Sequence, residues 1–238
     1  SPASGTAGTI GDSGDTFTLT AGANLTLGGS STTVTVPSGA TLDVASGATA
    51  DFTGATVTGL TNAFTLIKTE NVTSSTSVVN VTNCFSTTYD TYLVLIYRLL
   101  PVTDSEDLRM RFLVGGSEVS DTGYDFASRY FDQDGALSSN TGNNGTKFVL
   151  ADSIDNLQGS GGFNATLWFN LDKNTSAGNT GSYTGTAQFA DGSGINHSSY
   201  MAGYYQDSTS VQSPTGLKFF GGSGNITSVK ISVYGVTK

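Results

Sequence analysis

Few residues of this chain are equipped for acid–base or nucleophilic work. His197 is the single histidine and sits in the run Gly192-Ser193-Gly194-Ile195-Asn196-His197-Ser198. No G-x-S-x-G nucleophile elbow accompanies it, so it reads as an ordinary loop or subunit-interface histidine rather than a catalytic base. Paired carboxylates could run glycoside hydrolysis, and the candidates are Asp121/Asp125, Asp132/Asp134 and Asp152/Asp155. None has a context that separates it from the solvated, turn-forming aspartates of an all-β protein. No catalytic residue is assigned, and the chain reads as non-enzymatic. Cys84 is the only cysteine, which excludes an intrachain disulfide and a cysteine-based zinc site and leaves a small buried hydrophobe.

Binding chemistry is better represented. Asp132-Gln133-Asp134-Gly135 places two hard oxygen ligands beside a glycine turn, a weak case for Ca2+ at Asp132 and Asp134, since no Glu completes an EF-hand pattern. No other cofactor is implied. Sugar recognition needs aromatic faces flanked by amides and hydroxyls. Trp168, on the opposite face from Leu167 and Phe169, and Tyr200, Tyr204 and Tyr205 in Tyr200-Met201-Ala202-Gly203-Tyr204-Tyr205-Gln206-Asp207 are the candidates. The alternative for each is packing between sheets or protomers. The runs from Asp132 to Gly145 and from Asn174 to Gly181 read as surface loops, where binding usually resides.

The elements that must position these residues are strands. The chain has 238 residues, of which only 12% are charged, with 31 Gly, 30 Ser and 36 Thr. Thr favours strands, and Gly and Ser supply turns. No window repeats apolar residues at helical spacing over three turns. From Phe64 onward the pattern predicts strands at Phe64–Thr69, Ser77–Val81, Thr91–Leu99, Asp107–Val114, Tyr124–Tyr130, Thr146–Leu150, Gly162–Leu171, Tyr183–Ala190, Tyr200–Gln206, Gly216–Phe220 and Ile226–Val236. The clearest alternations are Leu108/Met110/Phe112/Val114, Phe163/Ala165/Leu167/Phe169/Leu171 and Val229/Ile231/Val233. Short strands, Gly- and Asn-rich turns and no interleaved helices predict an antiparallel β-sandwich head of jelly-roll type over 63–238.

Residues 1–62 differ, because the first base of the chain is Lys68. Here a degenerate repeat runs Ser38-Gly39-Ala40-Thr41-Leu42-Asp43-Val44, Ser46-Gly47-Ala48-Thr49-Ala50-Asp51-Phe52, Thr53-Gly54-Ala55-Thr56-Val57. Each unit offers a turn and one short strand with a single apolar face. Such strands need stacked neighbours or partner chains. A trimeric β-helix or β-spiral stalk is expected, its core formed by Val34, Val36, Leu42, Val44, Phe52 and Val57. The net charge of −9 argues against nucleic acid. The longest apolar run, Tyr92 to Leu100, carries Arg98 and is too short to span a bilayer. The first residues have neither the basic start nor the apolar centre of a signal peptide. Eight Asn-x-Ser/Thr sites occur, a number that a chain so rich in Ser and Thr produces by chance.

The segments Thr33-Val34-Thr35-Val36-Pro37-Ser38-Gly39-Ala40-Thr41-Leu42-Asp43-Val44 and Gly224-Asn225-Ile226-Thr227-Ser228-Val229-Lys230-Ile231-Ser232-Val233-Tyr234-Gly235-Val236, with Tyr92–Tyr97 and Asp107–Phe112 between them, carry a resemblance. In style the chain resembles small tail-fibre and virion-surface proteins of marine bacteriophages. The resemblance implies a homotrimer on the virion surface, held to other virion proteins by its N-terminal region with the head outward and touching host glycans. Many such fibres begin with a sizeable adaptor domain, whereas here the repeats start almost at Ser1. A capsid decoration or cement protein, or a head fibre, therefore stands as the alternative, and a polysaccharide-cutting tailspike as the third.

Overall fold

The computed structural model describes residues 63–157, 159, 161–171, 179–206 and 213–236. The expected stalk and its core residues Val34, Val36, Leu42, Val44, Phe52 and Val57 lie outside the described residues. The described part contains thirteen strands: β1 (Phe64–Val72), β2 (Val78–Val81), β3 (Thr91–Pro101), β4 (Glu106–Val114), β5 (Ser117–Glu118), β6 (Tyr124–Asp132), β7 (Leu137–Gly145), β8 (Phe148–Ile154), β9 (Phe163–Asn170), β10 (Asn179–Ala190), β11 (Asn196–Gln206), β12 (Gly216–Gly221) and β13 (Ile226–Val236). No described residue lies in an α-helix.

All pairings are antiparallel. They build an eight-stranded sheet, β1-β13-β3-β9-β10-β11-β6-β7, and a smaller one, β2-β12-β4-β5, with β8 also paired to β4. Eight strands form a frame in which consecutive strands mostly cross between the sheets: β1-β13-β3-β9 on one side and β2-β12-β4-β8 on the other. The remaining strands are insertions. β10, β11, β6 and β7 extend the frame's first sheet, and β5 is a short return from β4.

The expected alternations set the core. Leu108, Met110 and Phe112 of β4 are at most 1% exposed, and Val114 is half-buried. Phe163, Ala165, Leu167, Phe169 and Leu171 are all buried, as are Val229, Ile231 and Val233. Each large side chain fully removed from water contributes roughly 1.5–3 kcal/mol. Phe112 is central, with ring contacts at 5.8–6.3 Å to Tyr124, Phe148, Phe169 and Tyr205. It therefore ties β4 of the small sheet to both frame and inserted strands of the long one. The Tyr124 hydroxyl donates to the Val119 carbonyl at 2.8 Å and accepts the Phe112 N–H at 3.1 Å. Cys84 is 1% exposed, and burial pushes its thiol up to about 12.

Two departures from the sequence reading concern turns. Gly115 and Gly116 adopt φ of +57° and +86°, the pair of positive values that a type I′ two-residue hairpin requires. That hairpin generates β5, whose Glu118 accepts from Lys218 at 2.6 Å and Arg111 at 3.0 Å. The run Asp132–Gly145, read above as a loop, is instead a tight turn followed by β7 at the edge of the long sheet.

Candidate functional site

Because paired residues share a face, the register determines what the long sheet shows to solvent. One row runs Leu66–Tyr234–Leu93–Trp168–Thr184–Ala202–Ala127–Thr141. The next runs Leu95–Thr166–Thr186–Tyr200–Arg129–Ser139 from β3 to β7. Tyr97 lies one outward position beyond Leu95 and is paired with Lys230.

In the second row and its flank, an open groove of about 460 Å³ crosses four strands. Its form follows from side-chain size. Thr166, Thr186 and Ser198 are short, whereas Tyr97 on β3 and Tyr200 on β11 stand up at either side, 48% and 65% exposed. The Phe131 ring packs edge-on against Tyr200 at 6.1 Å and supports it. Gln188 offers an amide to the groove. Asn164 also lines it, but holds the backbone: its Oδ1 accepts the Arg98 N–H at 2.9 Å and its Nδ2 donates to the Gly161 and Gly162 carbonyls. Arg98 has φ of +49° at the irregularity that ends regular β3–β9 pairing. Two aromatic flanks over a hydroxyl- and amide-bearing floor form a surface suited to stacking and hydrogen-bonding a hydroxylated ligand.

The other end of the same face is apolar. Phe64 and Leu66 of β1 are 44% and 55% exposed. Leu93, Tyr234 and Val236 are half-buried beside them. Trp168 is also half-buried, with its ring 6.0 Å from that of Phe64.

The sequence candidates separate accordingly. Tyr200 is in the groove. Tyr204 is exposed on the same face, four residues along β11, and a hydrogen bond to Asp125 holds its phenol above the usual range. Trp168 faces outward but belongs to the apolar end. Tyr205 is corrected: it is 2% exposed, packed 4.4 Å from Tyr124, and an inward ring cannot stack on a ligand. Its parity with Met201, also buried, was the available signal. Tyr97 was missed because β3 is apolar on both faces, so alternation did not mark it as outward.

At the suggested calcium turn, Asp132 Oδ1 accepts the backbone N–H groups of Asp134 and Ala136 at 3.1 and 2.7 Å, while Asp134 is exposed. Asp132 thus serves as the acceptor that closes the β6–β7 turn. Among the described residues no group of three or more His, Cys, Asp or Glu is gathered to hold a metal. The carboxylate pairs are also occupied locally. Asp125 accepts from the Asn144 N–H at 2.5 Å and Asp155 from the Leu157 N–H at 2.8 Å. Asp152 accepts from Asn140 Nδ2 at 2.8 Å; burial and then the neighbouring Asp107 raise its pKa. His197 Nε2 lies 3.2 Å from Asp191 Oδ2 and its ring stacks on Phe189 at 5.2 Å. Burial pushes the Asp191 carboxyl upward, but the Ile195 N–H, His197 and the Ser193 N–H together hold it below its ordinary value. Those contacts shape the β10–β11 turn, and among the described residues no serine or cysteine is hydrogen-bonded to the imidazole.

Glu106 was not singled out in the sequence. It is 5% exposed and accepts the N–H and hydroxyl of Ser223 at 2.7 and 3.1 Å, which fixes the β12–β13 turn. Compared with family models, curated proteins and solved structures, the chain matches none.

Proposed function

We propose that this chain is a non-enzymatic structural protein of a bacteriophage virion, a trimeric fibre whose head attaches to host-surface glycans. The observation that carries the reading is the groove between Tyr97 and Tyr200, two exposed rings over a floor of Thr166, Thr186 and Ser198. Saccharides present C–H faces to aromatic rings and hydroxyls to short polar side chains, and this surface offers both partners. In this reading the eight-strand frame is a jelly roll: its first, eighth, third and sixth strands form one sheet, and its second, seventh, fourth and fifth form the other.

In this reading the trimer contact uses the apolar end of the long sheet. Phe64 and Leu66 are exposed there, beside the half-buried Leu93, Tyr234 and Trp168. Exposed contiguous apolar surface of this kind marks interaction sites. The same end favours one second reading, a capsid decoration protein seated on its lattice through that face. Cell binding and glycan arrays with the full chain separate the two: binding to host glycans fits the fibre, and its absence fits the decoration protein.

The attachment role is tested by titrating the full chain against defined oligosaccharides beside the Tyr97→Ala and Tyr200→Ala variants. Saturable binding that falls at least about tenfold in each variant is expected. Failure of every saccharide to bind removes the glycan role.

A further inference from the structure

The groove has a charge pattern that the candidate residues taken singly do not reveal. All ten Lys and Arg of the chain lie from Lys68 onward, in a protein whose net charge is −9. Two of these scarce cations stand directly outside the two groove tyrosines. Lys230 on β13 is paired with Tyr97, and Arg129 on β6 is paired with Tyr200. Both are exposed, and among the described residues neither has an ion-pair partner. No Asp or Glu lines the groove between them.

Strand spacing sets the scale. Measured across the strands, Tyr97 and Tyr200 are three steps apart, roughly 14 Å, and Lys230 and Arg129 five steps, roughly 24 Å, with a further offset of two residues along the strand in each case. That span suits a short oligosaccharide rather than one sugar, with a cation near each end and rings inside them. In an acidic protein, this placement draws in a negatively charged ligand and repels none at the floor.

We infer that the groove selects acidic oligosaccharides, chains bearing carboxylate or sulfate groups, by stacking sugar faces on Tyr97 and Tyr200 and pairing the anionic groups with Lys230 and Arg129. This rests on the glycan-attachment reading above. A neutral oligosaccharide meets the rings and hydroxyls only, whereas an acidic one meets the cations as well. Both cations are solvent-exposed, so the added attraction is screened by salt.

The test uses the full chain in calorimetric titrations with short oligogalacturonates as the carboxylate arm, sulfated carrageenan oligosaccharides as the sulfate arm and malto-oligosaccharides as the neutral arm. At least one acidic arm should bind on the order of tenfold more tightly than the neutral arm in low salt, with the preference shrinking as salt rises. Arg129→Glu combined with Lys230→Glu should abolish that preference while leaving neutral binding intact. These are exposed positions, and an unchanged circular dichroism spectrum verifies that the variant is folded. Equal binding of acidic and neutral arms, or a preference that persists in the charge-reversed variant, overturns the selectivity and leaves glycan attachment standing. No binding in any arm, or binding that ignores Tyr97→Ala and Tyr200→Ala, overturns both.

Discussion

On the outer face of the long sheet, β1, β13, β3 and β9 present Phe64, Leu66, Tyr234, Leu93 and Trp168, whereas β10, β11, β6 and β7 present Thr184, Thr186, Gln188, Ser198, Arg129 and Ser139 around the exposed rings of Phe131, Tyr200 and Tyr204. The inner faces of the two halves are alike. Tyr92, Val94, Ile96, Leu167 and Phe169 in the frame and Tyr124, Tyr183, Met201 and Tyr205 in the inserted strands are all buried. The core therefore imposes one rule on both halves, and the outer face reports what each half meets. Frame strands that are apolar on both sides read as near-continuous hydrophobic runs, the signature of strands covered twice. Among the inserted strands β11 alternates cleanly, the signature of one covered face and one wet one.

The largest expected effect asks whether the two halves are one cooperative body. Phe112→Ala removes the ring that touches Phe169 in the frame and Tyr124 and Tyr205 in the insertion. It should cost about 3–5 kcal/mol in urea unfolding. Amide exchange in β3 and β11 should accelerate together; acceleration in β11 alone would show that the inserted half folds on its own.

A smaller change separates the outer faces. Leu66→Asp with Tyr234→Asp should lower the assembled mass in dilute solution while the head stays folded, whereas Thr184→Asp should leave the mass unchanged. Light scattering on both variants checks this, and an unchanged mass in the first would remove the apolar end as the assembly face.

The smallest effect concerns the junction of the halves, where Asn140 of β7 reaches Asp152 of β8. Burial and Asp107 raise the Asp152 pKa, so the folded state holds this proton more tightly than the unfolded chain does. The stabilisation this one group contributes is then full below its unfolded value of about 3.9 and is lost as pH rises through the folded one. Asp152→Asn keeps an acceptor for Asn140 and should raise the free energy of urea unfolding at neutral pH by a fraction of a kcal/mol. The gain should vanish near pH 3.

The sequence was most legible where one face is buried. Leu108/Met110/Phe112 and Val229/Ile231/Val233 located their strands directly, and all the strands read from the sequence are present. β7 was not legible because Leu137–Gly145 is an exposed edge strand with hardly a side chain for the core, held by its backbone pairing to β6. The groove was half legible: Tyr200 was marked by its polar surroundings, while Tyr97 was hidden in a run apolar on both faces. The cations opposite the two tyrosines could not be found from spacing, because Lys230 and Tyr97 become neighbours only through the β13–β3 register.

The pairing of β1 with β13, which sets Phe64 opposite Val236, has a mechanical consequence. The first and last described strands leave the head from the same end of an antiparallel pair. Tension between residues 64 and 236 would open their hydrogen bonds one after another, like a zipper. Tension between residue 64 and a ligand held at Tyr200 runs across the sheet from β1 to β11, so the β1–β13 seam and each seam after it carry the load in series. A head loaded between residue 64 and the groove therefore depends on the β1–β13 pairing, the first seam on that route.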